Sequence, residues 1–181
     1  MTLATELLTL QEFIHLPNIE ESPAWELLDG VPCQKPMPTL HHSRLQKWLV
    51  ATIDGLGSPY EAFPELRCTL SHNSVVPDVT VIHQARVPQD NEPINGAPDW
   101  AIEILSPDQS TTKVIAKIQS CLQEGTKLGW LIDPKEKVVM IFWPDRPLAL
   151  LKGQAVLPVI SDLELVLTVE ELFDCLQPNK R

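Results

Sequence analysis

No apolar run in these 181 residues approaches the roughly 18 to 20 needed to cross a bilayer. The start, MTLATELLTLQEF, also lacks the basic stretch and cleavage pattern of an export signal, so a membrane-spanning or secreted protein is not expected and the reading is cytoplasmic. The four cysteines, Cys33, Cys68, Cys121 and Cys175, stand far apart with no C-x-x-C pair and no histidines at zinc spacing. Reduced, partly buried thiols are the plain expectation. Positive charge is scarce too: 14 Lys and Arg face 24 Asp and Glu, and the net charge of −10 argues against indiscriminate adhesion to nucleic acid, which depends on cations replacing counterions at phosphates. A glycine-rich phosphate loop, a G-x-S-x-G elbow and an H-E-x-x-H helix are all missing.

What remains is ordinary globular material, 44% hydrophobic and 21% charged. There is no repeat, low-complexity run or linker to divide it, so one domain over 1–181 is expected. Thr9 and Glu12 form a capping-box pattern before a short helix over 9–16. Asp29-Gly30 is a tight-turn signal inside a hairpin over 25–34. Leu45, Trp48, Leu49 and Ile53 recur at helical spacing between Thr39 and Gly55. Strands are expected over 60–70, 76–82 and 99–105, with a Pro/Asn/Gly-rich surface loop between the last two. A second helix over 110–124, capped by Ser110, should bury Val114, Ile118, Cys121 and Leu122. Strands LGWLIDP and KVVMIFW follow, and a second capping box, Thr168 with Glu171, opens a last helix. Trp130 and Trp143 read as core or interface residues, and VVMIFW could line the interface of a homodimer as well as a core.

The chemistry concentrates in Pro77-Asp78, Glu103 twenty-five residues later, and Lys113 and Lys117, which share a helix face. Two carboxylates on adjacent strands suit Mg²⁺ or Mn²⁺, hard ions that take a few oxygen ligands plus water and phosphate. A neighbouring ammonium would orient water or offset phosphate charge. Glu103 weighs most, because it sits among Trp100, Ala101, Ile102, Ile104 and Leu105, where an unpaired carboxylate is costly. The plain alternatives are a solvated strand face for Glu103, turn chemistry for Asp78 and solvated helix positions for both lysines.

At these residues the sequence resembles the Uma-two family of bacterial restriction endonucleases, a branch of the PD-(D/E)XK nuclease superfamily. The likeness rests on WELLDG, PTLHHSRL, VPDVTVI, AIEILSP, the helix ending in Gly125 and GWLIDP, in that order, over about 9–134, with a weaker match at TVEELF. It implies an α/β (α+β) restriction-endonuclease-like core, a mixed sheet flanked by helices, and a Mg²⁺- or Mn²⁺-dependent enzyme that hydrolyses DNA. Asp78 and Glu103 would be metal ligands, with Glu26 of WELLDG as a third and His42 as an accessory to phosphate or to metal-bound water. Exposed-hairpin and helix-start packing roles are the alternatives for Glu26 and His42. The superfamily lysine two residues after the glutamate is replaced by Leu105. Family members of this type take the lysine from the following helix, eight residues before its terminal glycine, which is Lys117 here, with Lys113 one turn earlier. The missing lysine and the acidic charge keep a second reading in view: a catalytically inactive nuclease fold used for binding or dimeric assembly.

Overall fold

A computed structural model describes residues 7–177; the first six and last four residues of the 1–181 domain expectation lie outside them. The local signals near the N-terminus are realised closely. α1 (Leu10–Ile14) starts on the reciprocal Thr9–Glu12 capping box. Strands β1 (Trp25–Leu28) and β2 (Val31–Gln34) pair antiparallel about Asp29 and Gly30, both at positive φ as a two-residue turn of this hand requires. α2 (Leu40–Asp54) begins at Thr39, whose hydroxyl accepts from the His42 N–H, and buries Leu45, Leu49 and Ile53 along one stripe.

The middle of the chain departs from expectation. The strand expected over 60–70 is two strands in two sheets, β3 (Tyr60–Pro64) and β4 (Cys68–Thr69), broken at Glu65, whose φ of 54° is incompatible with an extended ladder. The strand expected over 76–82 starts only at Val79, as β6 (Val79–His83), and a short strand that was not expected, β5 (Ser74–Val75), precedes it. Pro77 has no N–H to give a ladder, which leaves Val76-Pro77-Asp78 outside regular pairing. The expected loop beyond it contains a 3₁₀ turn over Gln84–Arg86 and a short strand, β7 (Ile94–Asn95).

The remainder follows the apolar pattern: β8 (Trp100–Ile104), α3 (Thr111–Gln123), β9 (Leu128–Asp133), β10 (Val138–Phe142), β11 (Ala149–Lys152) and α4 (Val169–Asp174). Ser110 precedes α3 but makes no side-chain cap, bonding Thr112 Oγ1 instead at 3.0 Å. β11 was not foreseen; the capping box of Thr168 and Glu171 on α4 is formed.

Two mixed sheets result. One runs β2-β1-β5-β4-β7 and the other β11-β10-β9-β8-β6-β3, with β8 and β9 parallel and α3 supplying the crossover that parallel neighbours need. All five residues of β8 are buried, so this strand is covered on both faces. The main core joins α2, β8, β9, β10 and α4, with Trp100 and Trp130 edge to face at 4.6 Å between centroids. Val139, Ile141 and Phe142 of the VVMIFW stretch are buried within the chain. α3 lies close against β9 because Gly129 has no side chain: a Cβ there would overlap Ile118 Cγ2. That close approach brings Lys117, a neighbour of Ile118, down onto the sheet.

Candidate active site

The carboxylates meet because of strand register. β6 pairs antiparallel with β8, Val79 opposite Ile102 and Thr80 opposite Ala101. Asp78 lies one residue before this ladder and Glu103 one residue after Ile102, so the two acids come from the same end of the β6–β8 pair. Asp78 Oδ2 accepts from the Ile104 N–H at 2.7 Å, which fastens the end of one strand to the next. Because Val76 lies outside the ladder, its peptide groups are free for side chains. Its N–H donates to Glu26 Oε1 at 2.6 Å, and its carbonyl accepts from Lys35 Nζ at 2.8 Å and Lys117 Nζ at 3.0 Å.

Each lysine bridges two carboxylates. Lys117 Nζ lies 2.5 Å from Glu26 Oε1 and 2.7 Å from Glu103 Oε1. Lys35 Nζ lies 2.7 Å from Asp78 Oδ1 and 3.0 Å from Glu65 Oε1. On its other oxygen, Asp78 meets His42 Nε2 at 3.1 Å, which places the imidazole proton on Nε2. Glu26, Lys35, His42, Asp78, Glu103 and Lys117 are all buried. A cavity of about 300 Å³ opens beside them, lined in part by Glu26, Lys35, Gln109, Lys113 and Lys117.

Three buried carboxylates, Glu26, Asp78 and Glu103, thus face two buried ammonium groups, and the surplus negative charge settles unevenly. For Glu103 burial dominates, outweighing Lys117 with help from the like charge of Asp78, and the carboxyl is pushed up to about 8. Asp78 is also raised by burial, but Lys35 and His42 more than offset this and hold it well below the ordinary carboxylate range. Burial works against the charge on Lys117 and on Lys35, yet the surrounding acids, Glu103 and Glu26 for the first and Asp78 for the second, hold both above the usual lysine value.

Glu26, Asp78 and Glu103 offer carboxylate oxygens of the kind a divalent cation takes, while the group whose ligand atoms all lie within 4.8 Å of one another among the described residues is His42, Glu65 and Asp78. Glu103 Oε1 is buried and, although close to Lys117, has no aligned hydrogen bond. A hard oxygen of this kind, in a cluster whose carboxylates outnumber its lysines, is the type of ligand a divalent cation takes. Of the residues singled out from sequence, Glu26, His42, Asp78, Glu103 and Lys117 are brought together. Lys113 is exposed and contributes to the wall of the cavity, whereas Lys117 joins the buried stripe in place of Leu122, which is only partly covered. Sequence reading missed Lys35, Glu65 and Gln46, the last reaching the Asp78 carbonyl through Nε2 at 2.8 Å. A signal for Lys35 existed. The hairpin sets Glu26 opposite Cys33, so Lys35, two residues further along, falls on the same face as Glu26.

No curated protein matches the chain. The sequence profile of the Uma2 family, described as "Putative restriction endonuclease", matches residues 10–170. A crystal structure described as "a putative nuclease belonging to DUF820 from Anabaena variabilis ATCC 29413" superposes with a TM-score of 0.87 at 42% identity, covering 94% of this chain and 99% of that one. The mixed α/β architecture is accordingly restriction-endonuclease-like, and the chain belongs to the Uma2 family of nuclease-fold proteins.

Proposed function

We propose that the protein is a Mg²⁺- or Mn²⁺-dependent endonuclease that hydrolyses DNA phosphodiester bonds, with Asp78 and Glu103 holding the metal and Glu26 assisting. The observation that carries this reading is the buried Glu26–Lys117–Glu103 bridge beside Asp78, which supplies from α3 the ammonium that Leu105 cannot. A divalent ion bound there lowers the pKa of an attacking water and offsets charge at the phosphate. Lys117 serves the reaction rather than Lys113, because its ammonium already touches the carboxylates. It keeps its proton, so it can orient water and phosphate oxygen without exchanging charge with them. His42 holds Asp78 anionic and in one rotamer, and the Ile104 amide does the same from the neighbouring strand.

The test is cleavage of plasmid, linear duplex and single-stranded DNA by purified protein with Mg²⁺ or Mn²⁺. Asp78→Asn and Glu103→Gln should each lower the rate by about 100-fold or more while the far-ultraviolet circular dichroism stays unchanged. Intact DNA under all these conditions, or variants that cut as fast as the parent, defeats the proposal. One observation favours a binding or assembly module instead: the two oxygens of Asp78 already meet Lys35, His42 and the Ile104 N–H. Calorimetric titration with Mn²⁺ separates the readings. Binding that disappears in both variants favours the enzyme, and its absence in the parent favours the module.

A further inference from the structure

Lys35 Nζ has three oxygen neighbours of unequal standing. Asp78 Oδ1 and the Val76 carbonyl are buried and fixed by the strands. The third, Glu65, has a side chain 39% exposed, against 5% for Lys35. It stands on a left-handed residue between β3 and β4 rather than within either strand. The same oxygen, Glu65 Oε1, also faces Gln46 Nε2 at 3.4 Å. An ammonium and an amide N–H therefore converge on a single anionic oxygen that solvent can reach, next to the carboxylates of the candidate active site.

We propose that Lys35 and Gln46 form a binding position for a phosphodiester oxygen of the nucleic acid, and that the Glu65 carboxylate occupies it as an internal stand-in until substrate replaces it. This rests on the nuclease reading and adds to it a phosphate contact separate from Lys117. Exchange of one oxyanion for another keeps the three protons of the buried ammonium satisfied throughout, so substrate entry need not strand a desolvated charge. Glu65 can leave at modest cost, because its carboxylate is already 39% exposed and regains water, provided another oxyanion takes its place on the buried Lys35. Its carboxylate also competes directly with an incoming phosphate.

The rival occupant is a cation, since ligand atoms of His42, Glu65 and Asp78 all lie within 4.8 Å of one another. A dication held by all three would take both carboxylates from the Lys35 ammonium, which lies 2.7 Å from Asp78 and 3.0 Å from Glu65, whereas a metal held by Asp78 and Glu103 leaves Glu65 with Lys35. The anion position is the arrangement the charges favour.

Glu65→Ala tests the proposal, with inorganic phosphate as the probe in calorimetry and a duplex oligonucleotide as substrate in cleavage assays. Phosphate should bind about two- to fivefold tighter, the strength of the exposed pair removed, and KM for the duplex should fall by a similar factor with kcat little changed. Lys35→Met strips Asp78 of a buried partner and is expected to fold poorly, so Lys35→Arg is the companion variant; it should retain phosphate binding. Unchanged or weaker phosphate affinity in Glu65→Ala, absence of phosphate binding in both proteins, or a loss of Mn²⁺ binding caused by Glu65→Ala overturns the inference. The nuclease reading fails on other data, cleavage that survives Asp78→Asn and Glu103→Gln, and that outcome leaves the phosphate measurement standing.

Discussion

Two carboxylates stand near the two ends of β8, both almost fully buried and both beside lysine, and their environments drive them in opposite directions. Asp99, just before the strand, accepts from the His83 N–H at 2.9 Å and meets Arg86 at 3.1 Å and Lys127 at 3.0 Å. Burial pushes its carboxyl up, but the His83 amide, Lys127 and Arg86 together leave it below the ordinary range. Glu103, near the far end, is pushed up to about 8 although Lys117 touches it. Burial weighs most on Glu103, and its cation is buried with it. The side chains of Arg86 and Lys127 are 40% and 52% exposed and keep much of their hydration, whereas that of Lys117 is 4% exposed and shared between two acids. A carboxylate served by hydrated cations and an aligned backbone amide helps hold the fold together. One enclosed with too few cations is stored in an unfavourable state, as pairs of this kind are at sites that bind a further charge.

The sharpest way to break this contrast is to remove the lysine at each end. Lys117→Met leaves Glu26 and Glu103 buried without their shared counterion, and should cost about 3 to 5 kcal/mol in urea unfolding, the usual consequence of breaking a buried pair. It should also abolish metal-dependent cleavage. A loss below about 1 kcal/mol would mean that water reaches the cluster and that the two ends of β8 are alike.

The second effect is on pH. A carboxyl at about 8 in the folded chain and 4.5 when unfolded binds more protons folded than unfolded between those values. The stability Glu103 contributes is therefore complete below 4.5 and declines as pH rises toward 8, by at most about 1.4 kcal/mol per pH unit. On the proposed metal site Mn²⁺ or Mg²⁺ would replace that proton, so the rise in Tm on adding metal should be larger at pH 8 than at pH 6. An equal rise at both, read by differential scanning fluorimetry, would show that the metal binds without Glu103.

These contrasts were only partly readable from the chain. Asp78 and Glu103 could be proposed as neighbours because both fall on expected strands, whereas Lys117, with Lys113 one turn earlier as the alternative, came only from the family resemblance, which puts the lysine eight residues before the helix's terminal glycine. The reading that placed Leu122 on the buried stripe passed over Lys117, because periodicity alone cannot distinguish a lysine drawn inward by two acids from an apolar residue that packs there. Lys35 and Glu65 were missed for another reason. Their contact spans thirty residues and depends on the break at Glu65, where a left-handed backbone ends β3 and sends the chain to the second sheet. Pro64 in YEAFPELRC is the one local hint of that break, and reading the strand through it merged two strands of different sheets.

At the Asp99 end the expected effects are smaller and of opposite sign in pH. A depressed carboxyl stabilises the fold above its unfolded value of 3.8, and that contribution is lost as pH falls through the lower folded value. Asp99→Asn should therefore cost about 1.5 kcal/mol near neutrality, the scale of a hydrogen bond to a charged group, and its deficit should shrink in strongly acidic solution as the parent loses the same charge. Lys127→Ala should cost less than about 1 kcal/mol, because Arg86 and the His83 amide remain on Asp99 and the lost ammonium was largely hydrated. Added salt should narrow even that difference, whereas the Lys117→Met deficit should persist in the same salt because its charges are shielded from mobile ions. If urea unfolding at low and high ionic strength shows both deficits screened alike, burial is not what separates the two ends of β8, and the case for a stored charge at Glu103 falls with it.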